Sequence, residues 1–96
     1  MIESFKDKRL EAFYFSGATA ASIPASITSA LGRKLDLIDA AVSEADLRVP
    51  PGNRFEHLEG KLSSLSAIRV NKQYRLIFEW SHGRARGLYL DPHTYR

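Results

Sequence analysis

The alternation of apolar and polar side chains is clearest from Ser66 to Trp80, SAIRVNKQYRLIFEW. Two runs of period two flank Asn71-Lys72-Gln73, the pattern of a β-hairpin. In the first run Ser66, Ile68 and Val70 share a face, opposite Ala67 and Arg69. In the second, Tyr74, Leu76, Phe78 and Trp80 share a face, opposite Gln73, Arg75, Ile77 and Glu79. A two-residue turn would set Ile68 beside Arg75 and mix core with charge. A three-residue loop instead sets Val70 opposite Tyr74, Ile68 opposite Leu76 and Ser66 opposite Phe78. A slip of one residue exchanges the two faces, so burial selects the longer loop. Arg69 and Arg75 then become cross-strand neighbours on the face away from the apolar pairs. Two adjacent guanidinium groups repel unless an anion lies over them.

The remaining pattern places helices before strands. Met1 to Phe5 is apolar at Ile2 and Phe5 and reads as a short strand. Leu10, Phe13 and Tyr14 have helical spacing within Lys6 to Phe15, and Gly17 suits the helix C-terminus. A second helix opens near Pro24 and carries the stripe Ile27, Leu31, Leu35, Ile38 and Val42, with Gly32 inside it as a candidate close-packing position. Ser43 can cap a short extra turn, and Pro50-Pro51-Gly52 ends regular structure. Asn53 to Glu59 is a short strand or extended loop, and Gly60 to Ser64 a turn. A second hairpin turn at Ser81-His82-Gly83-Arg84 leads into Ala85 to Asp91, which Pro92 stops. The expected architecture is α+β in the order β-α-α-β-β-β, two helices on one face of an antiparallel sheet whose other face is open.

Ninety-six residues, 44% of them hydrophobic, suit a single domain, 1–96, with a modest core. The chain has no cysteine, which excludes disulfides and thiolate metal sites. No h-region follows Met1-Ile2, and no apolar run approaches the roughly 20 residues that span a bilayer. The expectation is a soluble cytoplasmic protein without a membrane partner. The net charge of +3 is unevenly distributed. Residues 1–47 carry five Lys/Arg against seven Asp/Glu, and residues 48–96 nine against four. The basic half holds the hairpin, which fits either a nucleic-acid partner or a solvated basic surface.

Candidate chemistry follows that charge. His93 has Asp91 and Tyr95 two residues to either side, a set suited to general acid–base work, although the residues alone favour an ordinary exposed histidine near a chain end. His57, His82 and His93 lack metal-ligand spacing, so neither a metal nor any other cofactor is expected. Arg48, Arg54, Lys61, Arg69, Lys72 and Arg75 form a central basic set. They read as phosphate ligands or as sheet-surface charge paired with Glu56, Glu59 and Glu79. Tyr89 is a base-stacking candidate; Tyr74 and Trp80 fit core or sheet edge better.

The stretches MIESFKDKRLEAFYFSG, LRVPPGNRFEHLEG and SAIRVNKQYRLIFEW together resemble the HigB (killer-protein) branch of the RelE/ParE toxin superfamily. The resemblance implies a RelE-like α+β toxin of a type II toxin–antitoxin pair. It further implies a metal-independent, ribosome-dependent mRNA endonuclease, neutralised by a HigA-like helix-turn-helix antitoxin, with operator DNA contacted indirectly through that antitoxin. By the same resemblance the family's C-terminal histidine falls on His93 with Asp91 as its acid, and Arg75 is kept. Pro92 stands where the family has tyrosine, leaving Tyr95 as the nearby phenol. Glu56 and Glu59 stand where some members have histidine and lysine, and Asn71 where other RelE relatives have a basic residue. The expected catalytic set is His93, Asp91, Arg75, Arg54 and Glu56, with Lys61, Arg69, Asn71, Lys72 and Tyr95 binding RNA. A ParE-like gyrase inhibitor and a catalytically weak binding module on the same fold are the alternatives.

Overall fold

In the computed structural model, which describes residues 1–92, the central hairpin has the expected register. Strand β2 (Ser66–Arg69) pairs antiparallel with β3 (Arg75–Ser81) through Ser66↔Phe78, Ala67↔Ile77, Ile68↔Leu76 and Arg69↔Arg75. The Val70 N–H donates to the Tyr74 carbonyl at 2.9 Å and closes the three-residue loop. Inside it the Asn71 side-chain oxygen accepts from the Gln73 and Tyr74 N–H groups at 2.9 and 2.7 Å. Ile68, Leu76 and Phe78 are completely buried, so the core dictates the odd loop length.

Strand β4 (Arg84–Asp91) returns from β3 through a turn in which His82 (φ 53°) and Gly83 (φ 76°) are both left-handed, as a two-residue hairpin turn requires. The ladder holds Glu79↔Arg86 and Ile77↔Tyr89, so β4 carries one extra residue, at left-handed Gly87. This bulge lets Ala85 and Leu88 both face the core although they are three positions apart in sequence. A two-residue strand, β1 (Glu56–His57), completes an antiparallel sheet ordered β1-β2-β3-β4. The strand expected over Met1 to Phe5 is present only as two isolated parallel bridges to β4, Ile2↔Ala85 and Phe5↔Leu88. The chain leaves the sheet at once, because the N–H groups of Lys6 and Asp7 both donate to the Leu88 carbonyl as the first helix begins.

Helix α1 (Lys8–Ser16) is capped by Asp7, whose carboxylate accepts from the N–H groups of Arg9 and Leu10, and it stops at left-handed Gly17. Pro24 precedes a single 3₁₀ turn rather than entering the second helix, and α2 (Thr28–Ala40) begins after it. The stripe of Ile27, Leu31, Leu35 and Ile38 is buried as expected. Val42 lies beyond the helix end and is 79% exposed, a departure from the expected stripe. Gly32 has open space where a Cβ would stand, so it does not mark close packing. The short α3 (Glu44–Leu47) carries a capping box between Ser43 and Asp46. Leu10, Leu31, Leu35, Ile38 and Leu47 join Ile68, Leu76, Phe78, Ala85 and Leu88 in one buried cluster. The opposite sheet face departs from the expected openness: Ala67 and Ile77, which point that way, are 2% exposed.

Tyr14, partly buried in this layer, has its phenol pushed up to about 12, chiefly by burial and then by the carboxylates of Asp39 and Asp36. A raised phenol stabilises the fold fully below the unfolded value of 10.0, and that contribution disappears as pH climbs toward about 12. The denaturation midpoint of the wild type should therefore fall more steeply between pH 9.5 and 12 than that of Tyr14→Phe. Equal slopes in parallel urea titrations would show that Tyr14 is not the linked group.

Candidate nucleic-acid interface

The helix-free face carries two rows of side chains set by the register: Glu56, Ala67, Ile77 and Tyr89 in one, and Arg69, Arg75 and Asp91 in the next. Over the β1–β2 end lies an open cleft of about 360 Å³ lined by Arg54, Phe55, Glu56, Ala67, Arg69, Arg75 and the hairpin loop from Asn71 to Tyr74. Four cationic side chains thus face a single carboxylate within its walls.

Arg75 is the centre of this arrangement. Its side chain is 18% exposed, and its guanidinium meets Asp91 through Nε and Glu56 through Nη1, each at 3.3 Å. The anions expected over the arginine pair are therefore partly the protein's own. Arg69 instead donates from Nε to the Asn71 carbonyl at 3.1 Å. Among the described residues, Arg54, Lys61, Arg69 and Lys72 form no ion pair with a carboxylate. The pairing of the basic set with Glu56, Glu59 and Glu79 is thus limited to Arg75 with Glu56, since Glu79 bonds Arg86. Arg48 binds Glu44 and lies 4.9 Å over the Phe55 ring, bracing the cleft wall from behind.

The position of Arg54 depends on its neighbour Asn53, which is fully buried within a 3₁₀ turn, Pro51–Asn53. The Asn53 amide donates to the carbonyls of Leu47 and Val49 at 3.1 and 3.0 Å, and its oxygen accepts from the Lys34 ammonium of α2. Burial, and then Arg33, holds the Lys34 ammonium below its usual range. This clamp ties the Pro-Pro-Gly-Asn turn to helix α2. Arg54 then adopts a left-handed conformation (φ 46°), uncommon for a residue with a Cβ, and emerges exposed into the cleft.

Six of the expected site residues therefore converge: Arg54, Glu56, Arg69, Asn71, Lys72 and Arg75. Asp91 joins them through Arg75. Lys61 lies in the turn Gly60–Leu62 and is not part of the cleft lining. His93 and Tyr95 lie outside the described residues. Tyr89 is half-buried with the Lys6 ammonium 5.0 Å from its ring centre, and burial followed by Asp91 raises its phenol while Arg75 opposes them. It lines the ladder beside Ile77 rather than standing clear as a stacking platform. Gln73, Tyr74, Phe55 and Ala67 line the cleft without having been singled out for it, and Asn53 and Lys34 support it. The sequence signal for Asn53 is weak, because asparagine after Pro-Pro-Gly suits any exposed turn.

His57 makes a separate polar chain, with Nδ1 3.2 Å from the hydroxyl of buried Ser66 and Nε2 3.0 Å from Glu44. The Arg48 hydrogen bond holds the Glu44 carboxyl below its ordinary range against the opposing effect of burial, with lesser help from the charges of His57 and Arg48. Since Ser66 is sealed in the core, this chain ties α3 to the sheet and is not a nucleophile. Among the described residues no three His, Asp or Glu side chains are placed to hold a metal ion, and no helix is long and apolar enough to cross a membrane.

A small helical layer on one face of an antiparallel sheet, with guanidinium groups gathered in a cleft on the other, is the arrangement of a RelE-like α+β protein. Residues 3–93 match the family described as RelE-like toxin of type II toxin-antitoxin system HigB, and the chain belongs to that family. It is 60% identical over 95 residues to toxin HigB-1 of Vibrio cholerae serotype O1, covering 99% of this chain and all of that protein. It is 47% identical over 93 residues to an uncharacterized protein of Haemophilus influenzae, covering 97% of this chain and 92% of the relative. Membership of a type II toxin–antitoxin family implies an antitoxin partner.

Proposed function

We propose that this toxin is a cytoplasmic, metal-independent endonuclease that cleaves mRNA on the ribosome and is neutralised by a HigA-like helix-turn-helix antitoxin. The observation that carries the reading is the convergence of Arg54, Arg69, Lys72 and Arg75 with Glu56 in one open cleft. A polyanionic strand is the ligand such a cleft suits, and a single-stranded segment can follow the sheet surface where a rigid duplex cannot.

The chemistry needs only the substrate's own nucleophile. A ribose 2′-oxygen attacks the adjacent phosphorus, forming the O2′–P bond while the P–O5′ bond breaks, and leaves a 2′,3′-cyclic phosphate and a free 5′-hydroxyl. One group accepts the 2′ proton and another donates a proton to the departing 5′-oxygen. We assign these transfers to Glu56 and His93, with Asp91 orienting His93 and holding Arg75 from the β4 side. Arg75 and Arg54 take the charge that grows on the phosphorane oxygens. Arg69, Lys72 and Lys61 hold flanking phosphates, and Asn71 and Tyr95 contact the strand nearby.

Expression of the wild-type chain should arrest growth and create new 5′ ends in a translated reporter transcript, read by primer extension, while gyrase supercoiling of plasmid DNA proceeds normally. His93→Ala should lower cleavage by roughly 10²–10⁴-fold. Undiminished cleavage by that variant removes His93 from the mechanism. Inhibited supercoiling with an intact transcript would make the protein a gyrase inhibitor instead.

A further inference from the structure

The carboxylate of Glu56 stands where an incoming phosphate would stand. The register puts Glu56 one row away from Arg75 and two strands over, with Ala67 between them. The methyl side chain of Ala67 forms a low floor, and across it the Glu56 Oε1 reaches the Arg75 Nη1 at 3.3 Å. On the opposite flank of the guanidinium Asp91 already occupies Nε at 3.3 Å. Of the two carboxylate partners of Arg75, Glu56 is the one that lines the cleft with it. Its own side chain is 57% exposed and springs from a strand of two residues at the sheet edge, so it can leave. Asp91, at 30%, is the more enclosed partner.

We propose that Glu56 is an intramolecular gate on a phosphate subsite: its carboxylate occupies Arg75 in the free protein, and an RNA phosphate must displace it. This deepens the nuclease reading and rests on it for the identity of the ligand. The exchange swaps one anion for another on the same guanidinium, so charge balance at Arg75 is preserved. The displaced carboxylate is left beside the bound phosphate, positioned to receive the 2′ proton. One residue thereby weakens ground-state binding and serves the chemical step. Replacing it should move the two quantities in opposite directions.

The test uses a short single-stranded oligonucleotide with a 2′-deoxy position at the scissile step, followed by fluorescence anisotropy at low salt. Glu56→Gln should bind roughly 2- to 5-fold more tightly than the wild type, the range an exposed ion pair of up to ~1 kcal/mol allows. The gain should shrink as salt rises. In an Arg75→Gln background the same substitution should give little or no gain, because the gate acts through that guanidinium. Glu59→Gln removes an equal charge outside the cleft lining and serves as the control for net charge. The gate is overturned if Glu56→Gln binds no tighter, if no variant binds the oligonucleotide, if Glu59→Gln tightens binding equally, or if the gain persists without Arg75. Cleavage is measured separately on translating ribosomes. Tighter binding by Glu56→Gln, with no cleavage by the wild type, would retain the gate and remove the nuclease assignment.

Discussion

Arg75→Ala should lower mRNA cleavage on ribosomes by roughly 10²–10³-fold, the loss associated with removing a preorganised donor from a developing oxyanion. Four features single it out among the arginines of the cleft. Among the described residues it alone of them is ion-paired with carboxylates, it lies at the junction of three strands, and its cross-strand partners are Arg69 and Asp91. It is also oriented from two sides before any ligand arrives. Asp91 keeps hold of the guanidinium through Nε while a phosphate replaces Glu56, so the arginine itself need not be repositioned. Arg75→Lys keeps the charge but cannot meet Asp91 and a phosphate with one planar fork, so it should recover only part of the rate. The measurement is the rate of appearance of new transcript ends at saturating ribosomes, with far-UV and near-UV circular dichroism as a check on folding. A folded Arg75→Ala protein within tenfold of wild type would show that the phosphorane charge is met elsewhere.

The second large effect is on stability. Asn53→Ala should destabilise the fold by roughly 2–4 kcal/mol, because it leaves the buried Leu47 carbonyl, the partly buried Val49 carbonyl and the Lys34 ammonium without their partner. For a chain of this size that corresponds to a fall in Tm of about 10–25 °C. Lys34→Met should cost less, since it removes one member of the clamp and leaves both amide donations in place. The expected order in urea denaturation is wild type, then Lys34→Met, then Asn53→Ala. A loss below about 1 kcal/mol for Asn53→Ala would mean that the turn is held by its backbone alone. Arg54 emerges directly from this turn, so partial loosening should also weaken oligonucleotide binding before global unfolding begins.

The features legible in the sequence are those set by short-range periodicity against a core. The β2–β3 register could be read because Ile68 and Leu76 cannot face solvent while Arg69 and Arg75 do. The stripe on α2 and the left-handed ends at Gly17 and Gly83 belong to the same class. Parity also placed Arg69 and Arg75 on one face, composition put the basic excess in the same half of the chain, and the family resemblance pointed to Arg75. What could not be read depends on contacts between distant segments. The Lys34–Asn53 clamp joins residues 19 apart in sequence. The Glu56–Arg75 pair depends on a two-residue strand that has almost no pattern of its own. The bulge at Gly87 shifts a parity that alternation alone carries straight through. Val42 continues the helical spacing of α2, but the chain has already turned toward the α3 capping box, where the Asp46 carboxylate accepts its N–H. Lys61 shares the charge of the cleft residues, yet the turn at Gly60 sets it apart from the lining.

The two borders of the sheet have a further consequence. Along the outer edge of β4, N–H and carbonyl groups of residues 85 and 88 are taken up by residues 1–7. The far edge is β1, whose two residues offer too short a ladder for another chain to join productively. Open strand edges are templates for self-association, and covering or shortening them is the usual protection. A toxin without its antitoxin has no partner to cover an open edge, so the protection has to come from its own fold. In this chain the same two-residue strand that presents Glu56 to the cleft also gives neighbouring copies almost nothing to extend.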